Sequence, residues 1–193
     1  LANKPTREKI LDTSLSMFNA LGERNVTTNH IADELGISPG NLYYYFKNKD
    51  DIVAQLFAVY EARMDDVLSR RKRSLTLDDV QLQLQRVFEC MWTYRFLYRD
   101  LVDILSRHRK LRQRFSRLLN RAEDSALVAM RGLVDAKILT ATNEEMQATA
   151  ENVVLTTTFW LNYHTVRNKS EASQSDIADG VERLMRLIAP NAA

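Results

Sequence analysis

The sequence predicts an all-α protein. Five glycines and three prolines in 193 residues leave little to interrupt helices, and apolar residues recur at the 3.6-residue period through most of the chain. Period-two alternation, the mark of half-buried strands, is almost absent. With 45% hydrophobic residues, the chain can bury a proper core in one or two domains.

Thr6 reads as the N-cap of a first helix to about Leu21, with Ile10, Leu11, Leu15 and Phe18 inward and Gly22 as its stop. Thr27 caps a short second helix whose Ile31, Ala32 and Leu35 share one face. Gly36 ends it in the left-handed conformation, and Ile37 drops into the core at the turn. Ser38 caps a third helix, with Pro39 at the first position, where a missing N–H costs little. Leu42 and Phe46 are four apart and share its buried face. Gly40 and Tyr44 then point outward, flanked by Asn41, Tyr43 and Tyr45. The pair is a helix-turn-helix.

Three consecutive tyrosines cannot all face one side of a helix, so at least one is exposed or meets a partner. Gly40 admits another backbone, while tyrosines bond phosphates or pack on sugars and thymine methyls. The alternative is that Tyr43 to Tyr45 fill a small core; spacing and caps together favour a surface for DNA.

Asn48 caps a long fourth helix from about Lys49, carrying Ile52, Val53, Leu56, Phe57, Tyr60 and Met64 inward. The run Arg70-Arg71-Lys72-Arg73 closes it as a solvated turn, where cations suit the carbonyl end of the dipole. Thr76 or Asp78 opens a fifth helix with Val80, Leu82, Leu84, Val87, Phe88 and Met91, which leads into Trp92, Tyr94, Phe96 and Tyr98. Residues 107–121 hold seven Lys or Arg and no acid, yet Leu111, Phe115, Leu118 and Leu119 mark a core face. Two readings stay open for that helix: a solvated basic face, or an arginine clamp for an anionic effector. The next helix runs through Leu127, Met130 and Leu133 to about Ala136. After a polar connector, a helix over about 144–167 and a Lys/Ser/Glu/Gln-rich loop precede a final helix over about 176–189. That makes about nine helices: three in a reading head (residues 1–48) and six in a body (49–193).

Ile177, Val181, Leu184 and Ile188 form a 4-3-4 stripe on the last helix. The helix before it carries Val153, Leu155, Phe159, Trp160 and Leu161, which cannot all face one core. A two-fold partner is the commonest second cover, so both helices are expected to pack on their symmetry mates as a four-helix bundle. Phe88, Met91, Trp92, Phe115, Phe159, Trp160, Tyr163 and His164 are the candidates to line an apolar ligand pocket, or else form core.

Net charge is only +2, so nucleic-acid binding would come from a local surface. Cys90 is the single cysteine, which suits a reducing cytosol and a cytoplasmic protein. No apolar run reaches the roughly 20 residues of a membrane span, and no signal peptide opens the chain. The first residue is Leu1 and not Met; a preceding arm would be of the kind that reaches a minor groove. His30, His108 and His164 stand apart with no metal-ligand spacing, and no catalytic or cofactor motif occurs. The expectation is a protein without enzyme activity, metal or cofactor.

Thr27, Ile31-Ala32, Gly36-Ile37-Ser38, Gly40-Asn41-Leu42-Tyr43, Tyr45-Phe46 and Lys49 resemble the DNA-binding signature of the TetR (tetracycline-repressor) family. Thr6-Arg7, Ile10-Leu11, Phe18 and Gly22 match that family's first helix, so the resemblance covers roughly residues 5–57. Tyr94 to Asp103 (YRFLYRDLVD) resembles a segment of one subgroup. The resemblance implies a helix-turn-helix domain joined to a helical ligand-binding and dimerisation domain. It also implies a homodimer on a palindromic operator in double-stranded DNA, released by a small-molecule effector. It places backbone contacts at Thr27, Tyr44 and Lys49 and base or methyl contacts nearer Pro39 to Tyr43, with Ser38 and Tyr45 beside them. The competing expectation is a structural DNA-binding protein with no effector and a filled core.

Overall fold

Side chains that stand in for missing backbone partners start half of the ten helices. The computed structural model describes residues 5–69, 75–168 and 173–189. Among them are ten α-helices, two 3-10 turns and no strand. The Arg70 to Arg73 run and part of the loop expected over 168–175 lie outside the described residues.

Helix α1 (Thr6–Leu21) begins one residue earlier than expected. Pro5, not Thr6, is its N-cap, and the Pro5 carbonyl accepts from the Glu8 and Lys9 amides. After Gly22 and a 3-10 turn (Glu23–Asn25) come α2 (Thr28–Leu35) and α3 (Pro39–Tyr45). The Thr27 hydroxyl accepts from the His30 amide at 3.2 Å, and His30 Nδ1 accepts from the Thr27 amide at 3.4 Å, a capping box with histidine in the usual Glu place. Gly36 takes φ +64°, the left-handed stop. Asn48 Oδ1 accepts from the Asp51 amide at 2.9 Å and so starts α4 (Lys49–Ser69).

Thr76, not Asp78, starts α5 (Leu77–Thr93): its hydroxyl accepts from the Asp79 amide, and Asp79 Oδ2 accepts from the Thr76 amide, both at 3.2 Å. Then follow α6 (Arg95–Arg99), α7 (Leu101–Arg107), α8 (Arg109–Asp135), α9 (Asn143–Asn168) and, after a 3-10 turn, α10 (Ile177–Ile188). The count exceeds nine because two expectations gave way in opposite directions. The basic segment and the helix after it are one helix, α8. Tyr94, Asp100 and His108 leave helical geometry and cut residues 94–107 into two short helices. A straight helix could not bury Tyr94, Phe96, Leu97, Tyr98, Leu101 and Ile104 together; the breaks allow it.

The chain forms two compact units that do not follow chain order. The first spans Leu1–Ala62 and Tyr94–Leu111, the second Arg63–Thr93 and Arg112–Ala193. In the first, Ile10, Phe18, Ile31, Leu42, Ile52, Phe57 and Phe96 are fully enclosed, and the Phe18 and Phe96 rings stand 5.3 Å apart. Each such side chain contributes about 1.5–3 kcal/mol on burial. In the second, α10 packs on both α5 and α9.

That packing corrects one expectation. Ile177, Val181, Leu184 and Ile188 are all buried inside their own unit, so this stripe is not available to a second copy. A 12-residue helix needs its one apolar face for its own domain. Helix α9 does have two apolar sides: Val153, Val154, Trp160 and Leu161 are buried, whereas Leu155, Phe159, Tyr163 and Val166 are exposed.

Gly180 marks the tightest point of the α10 contact. A β-carbon there would lie 2.7 Å from Trp160 Nε1 and 2.9 Å from Phe88 Cζ. Gly180→Ala should destabilise the protein by about 1–3 kcal/mol despite alanine's better helix propensity, read as a lower urea midpoint at unchanged slope.

Candidate nucleic-acid interface

The orientation of α3 follows from what it buries. Leu42 has no exposed surface and Phe46 almost none, and α3 packs on α2, whose Ile31 and Ala32 are also fully enclosed. Pro39, Gly40, Asn41, Tyr43 and Tyr44 are left exposed, and Tyr45 is half-buried. Tyr44 is 82% exposed and Tyr43 48%, so the tyrosines do not fill a core. They are nevertheless held: Tyr43 Oη lies 3.0 Å from Thr28 Oγ1, and the Tyr44 and Tyr45 rings meet edge-on at 5.0 Å.

Gly40 has no internal reason to be glycine. A β-carbon on it would find only Ser38 Oγ, at 3.9 Å. Glycine in a helix costs roughly 1 kcal/mol relative to alanine. Nothing packed around it inside the chain offsets that cost. The Thr27 and Ser38 hydroxyls are already used as caps; Ser38 Oγ accepts from the Asn41 amide at 3.2 Å.

Lys49 is placed differently from the rest. Its Nζ donates to the Glu23 carbonyl at 2.8 Å and lies 3.0 Å from Glu23 Oε1. Arg107 Nη2 reaches the other carboxylate oxygen at 2.5 Å. Burial alone would push the Glu23 carboxyl up; the Arg107 and Lys49 hydrogen bonds and charges outweigh it and hold the group below the ordinary carboxylate range. Asp103 extends the cluster, pairing with Arg24 and accepting from Arg107 at 3.1 Å. Arg99 Nη2 donates to the Phe18 carbonyl at 2.8 Å, and Asn19 Oδ1 accepts from the Phe96 amide at 3.0 Å. Sequence reasoning missed Glu23, Arg99 and Arg107; the only signal was the segment from Tyr94 to Asp103, whose role the pattern alone does not state.

The eight residues expected to line a ligand pocket divide. Phe88, Met91, Phe115, Trp160 and His164 are buried, Trp92 is half-buried, and Phe159 and Tyr163 are exposed. Phe88 and Trp160 meet at Gly180, and the Trp160 ring lies 5.9 Å from Tyr163 and 5.6 Å from His164. His164 Nε2 is 2.7 Å from Asn168 Nδ2 and 3.7 Å from Asp176 Oδ1. Where α10 crosses this cluster, Trp160 and Phe88 leave no room for a side chain at Gly180. A cavity of about 570 Å³ lies elsewhere in the second unit, walled by Leu68, Leu75, Val128, Ala129 and Gly132, with Asp65, Gln83, Arg121, Asp124, Ser125, Arg131 and Asp135 among its polar groups. None of the eight lines it. Arg121 is occupied there, its Nε 2.8 Å from Asp65 Oδ1.

Burial pushes the Cys90 thiol up to about 11, so it is no ready nucleophile. Among the described residues no His, Cys, Asp or Glu cluster fits a metal ion, and no helix is long and apolar enough to cross a membrane.

Comparison with known proteins agrees with this geometry at both ends of the chain. Residues 10–56 match the family model described as bacterial regulatory proteins, tetR family, and residues 59–193 match the one described as a bacterial transcriptional repressor. A TetR-family transcriptional regulator from Marinobacter aquaeolei VT8, solved as a crystal structure, is 38% identical, with a TM-score of 0.90 over 98% of this chain and 92% of that one. The class C tetracycline repressor protein of Escherichia coli is 40% identical over 47 residues, and the HTH-type transcriptional regulator AcrR of Shigella flexneri 29% over 62. Those matches span 24% and 32% of this chain, and only 22% and 29% of the two curated relatives' own lengths.

Gly40 supplies the direct test of the exposed face. Gly40→Leu has open space for its side chain and should keep the far-ultraviolet spectrum and melting temperature of the parent. Binding to duplex DNA should fall by about 100-fold or more, since a bulky side chain blocks the approach of a groove. Unchanged binding in a fluorescence-anisotropy titration would rule out docking through α3.

Proposed function

The chain belongs to the TetR family of bacterial regulatory proteins, and from that membership we propose that it is a homodimeric repressor released from a palindromic operator by a small molecule. The observation that carries the reading is the outward face of α3, where a helical glycine with no internal role stands beside exposed Tyr43 and Tyr44. Residues 1–48 are the reading head; Tyr43, Tyr44 and Lys49 contact the operator, with Thr27, Ser38, Pro39, Gly40, Asn41 and Tyr45 beside them. A phosphate contact weakens all sequences alike when lost, whereas contacts nearer Pro39 to Tyr43 read bases or methyl groups. Residues 49–193 bind the effector and form the dimer. A cytoplasmic place follows from that role.

The dimer contact lies on α9. Leu155, Phe159, Tyr163 and Val166 recur at 4-4-3 spacing along one exposed side, and Leu187 of α10 is also exposed. Such a stripe on a water-facing helix is stable only when covered, and a second copy offers the same stripe in return. Two heads on one palindrome then explain how a seven-residue recognition helix gains useful specificity.

For the effector, the 570 Å³ cavity supports release by a ligand over a structural DNA-binding protein with a filled core. A ligand need only prefer one of two head separations to shift the operator equilibrium. The test begins with duplexes enriched by the full-length chain from a random pool. A palindromic consensus, and a small molecule whose thermal stabilisation of the protein tracks its release of that duplex, are the expected results. Ala129→Trp, filling the cavity, should abolish release and spare DNA binding.

The dimer predicts its own outcome. Phe159→Asp on the exposed stripe should give folded monomers by sedimentation, with palindrome affinity reduced by about 100-fold or more as the second head ceases to act intramolecularly. Leu184→Asp, by contrast, should lower the melting temperature sharply, since that side chain has no exposed surface within its own unit.

A further inference from the structure

Glu23 has no exposed surface, and its carboxylate is shared by two cations from distant parts of the chain. Lys49 opens α4, and Arg107 closes α7. An ammonium has three protons to donate. One of those on Lys49 goes to the Glu23 carbonyl, and the charge is paired with Oε1 at 3.0 Å, so the ammonium is anchored on its inner side. The lysine is therefore not a freely swinging surface cation; its side chain is 23% exposed and its head group is fixed. Counting Glu23 and Asp103 against Lys49, Arg107 and Arg24, the cluster keeps one net positive charge toward an anion.

Arg107 adds a second condition. Glu23 binds Lys49 through one oxygen and Arg107 through the other, so the two cations face each other across one carboxylate. If α7 shifts and Arg107 leaves, Glu23 keeps a single cation, which draws the Lys49 head group inward and away from any partner outside. Asp103, one turn before Arg107, grips Arg24 beside Glu23, so the seat is made at two points of α7.

We infer that Glu23 is a positioning residue for DNA binding, which holds the Lys49 ammonium ready for a phosphate and makes that readiness depend on the seating of Arg107. This rests on the reading that Lys49 meets the DNA backbone. It assigns to α7 the regulation of that contact: whatever displaces Arg107 withdraws Lys49 from the phosphate.

The test is a set of double-mutant cycles on the full-length chain, with affinity for its pool-selected duplex measured across a range of salt. Lys49→Met should weaken binding about tenfold and lower the salt slope by about one unit. Glu23→Gln and Arg107→Met should each weaken binding about as much in the parent, and by less than about twofold in the Lys49→Met background. Arg107→Lys, which keeps the charge, should retain most of the affinity. Losses that add in the double variants would overturn the inference and leave the DNA reading standing. An unchanged affinity and slope for Lys49→Met, with Gly40→Leu still inactive, would remove both the Lys49 contact and the inference. If Glu23→Gln does not fold, the Lys49→Met and Arg107→Met cycle reads the same coupling, because those cations meet only through Glu23 in the cluster described.

Discussion

A carboxylate with no exposed surface stays ionised only where charges or hydrogen-bond donors make up for its lost hydration, and the first unit meets that condition at Glu23 with a cation at each oxygen. The glutamate sits in the turn after α1, where Gly22 at φ +89° lets the chain double back. Its two cations come from the start of α4 and the end of α7, so three segments far apart in sequence must be in register before the charge is satisfied. Arg99 on the α1 carbonyls and Asn19 on the Phe96 amide bring the same segments together by hydrogen bonds. The apolar layer beneath, with Phe18 against Phe96, supplies the larger part of the energy but little direction. Polar contacts choose the register; apolar contacts make it stable.

The second unit solves a different problem, that of a helix with two apolar sides. Helix α9 turns Val153, Val154, Trp160 and Leu161 toward its own unit and leaves Leu155, Phe159, Tyr163 and Val166 outside. The threonines between them bond their own backbone: Thr157 Oγ1 donates to the Val153 carbonyl at 2.6 Å and Thr158 Oγ1 to the Val154 carbonyl at 2.7 Å, so neither hydroxyl is left to demand solvent on the buried side. Helix α10 is the opposite case, with one apolar face used wholly inside. Two adjacent helices thus divide the work that the sequence alone assigned to both.

What was legible in the sequence was whatever depends on neighbours a few residues away. The caps at Thr27, Ser38, Asn48 and Thr76, the left-handed stop at Gly36 and the shared face of Leu42 and Phe46 all follow from local chemistry. The exposed tyrosines followed too, since three in a row exceed what one helix side can hold. Illegible were the pairings across distance. Nothing near Glu23 in the chain announces that Lys49 and Arg107, 26 and 84 residues on, will share it. The breaks at Tyr94, Asp100 and His108 were hidden for the same reason: they lack Gly or Pro, and are imposed by the need to bury consecutive aromatics against α1 and α4. The direction of the α10 stripe could not be read either, because a 4-3-4 pattern states that a face is covered and not by what.

Two helical glycines make the distinction between fold and function concrete. Both Gly40 and Gly180 lie within helices at ordinary helical dihedrals, and both carry the same propensity cost. Around Gly180 the space is already taken by Trp160 and Phe88, so the missing side chain is accounted for within the chain. Around Gly40 it is open, so packing accounts for nothing. In sequence the two are equivalent. Only the surroundings separate a glycine that the core requires from one that it does not, and of the two, Gly40 is the one whose face also exposes Tyr43 and Tyr44.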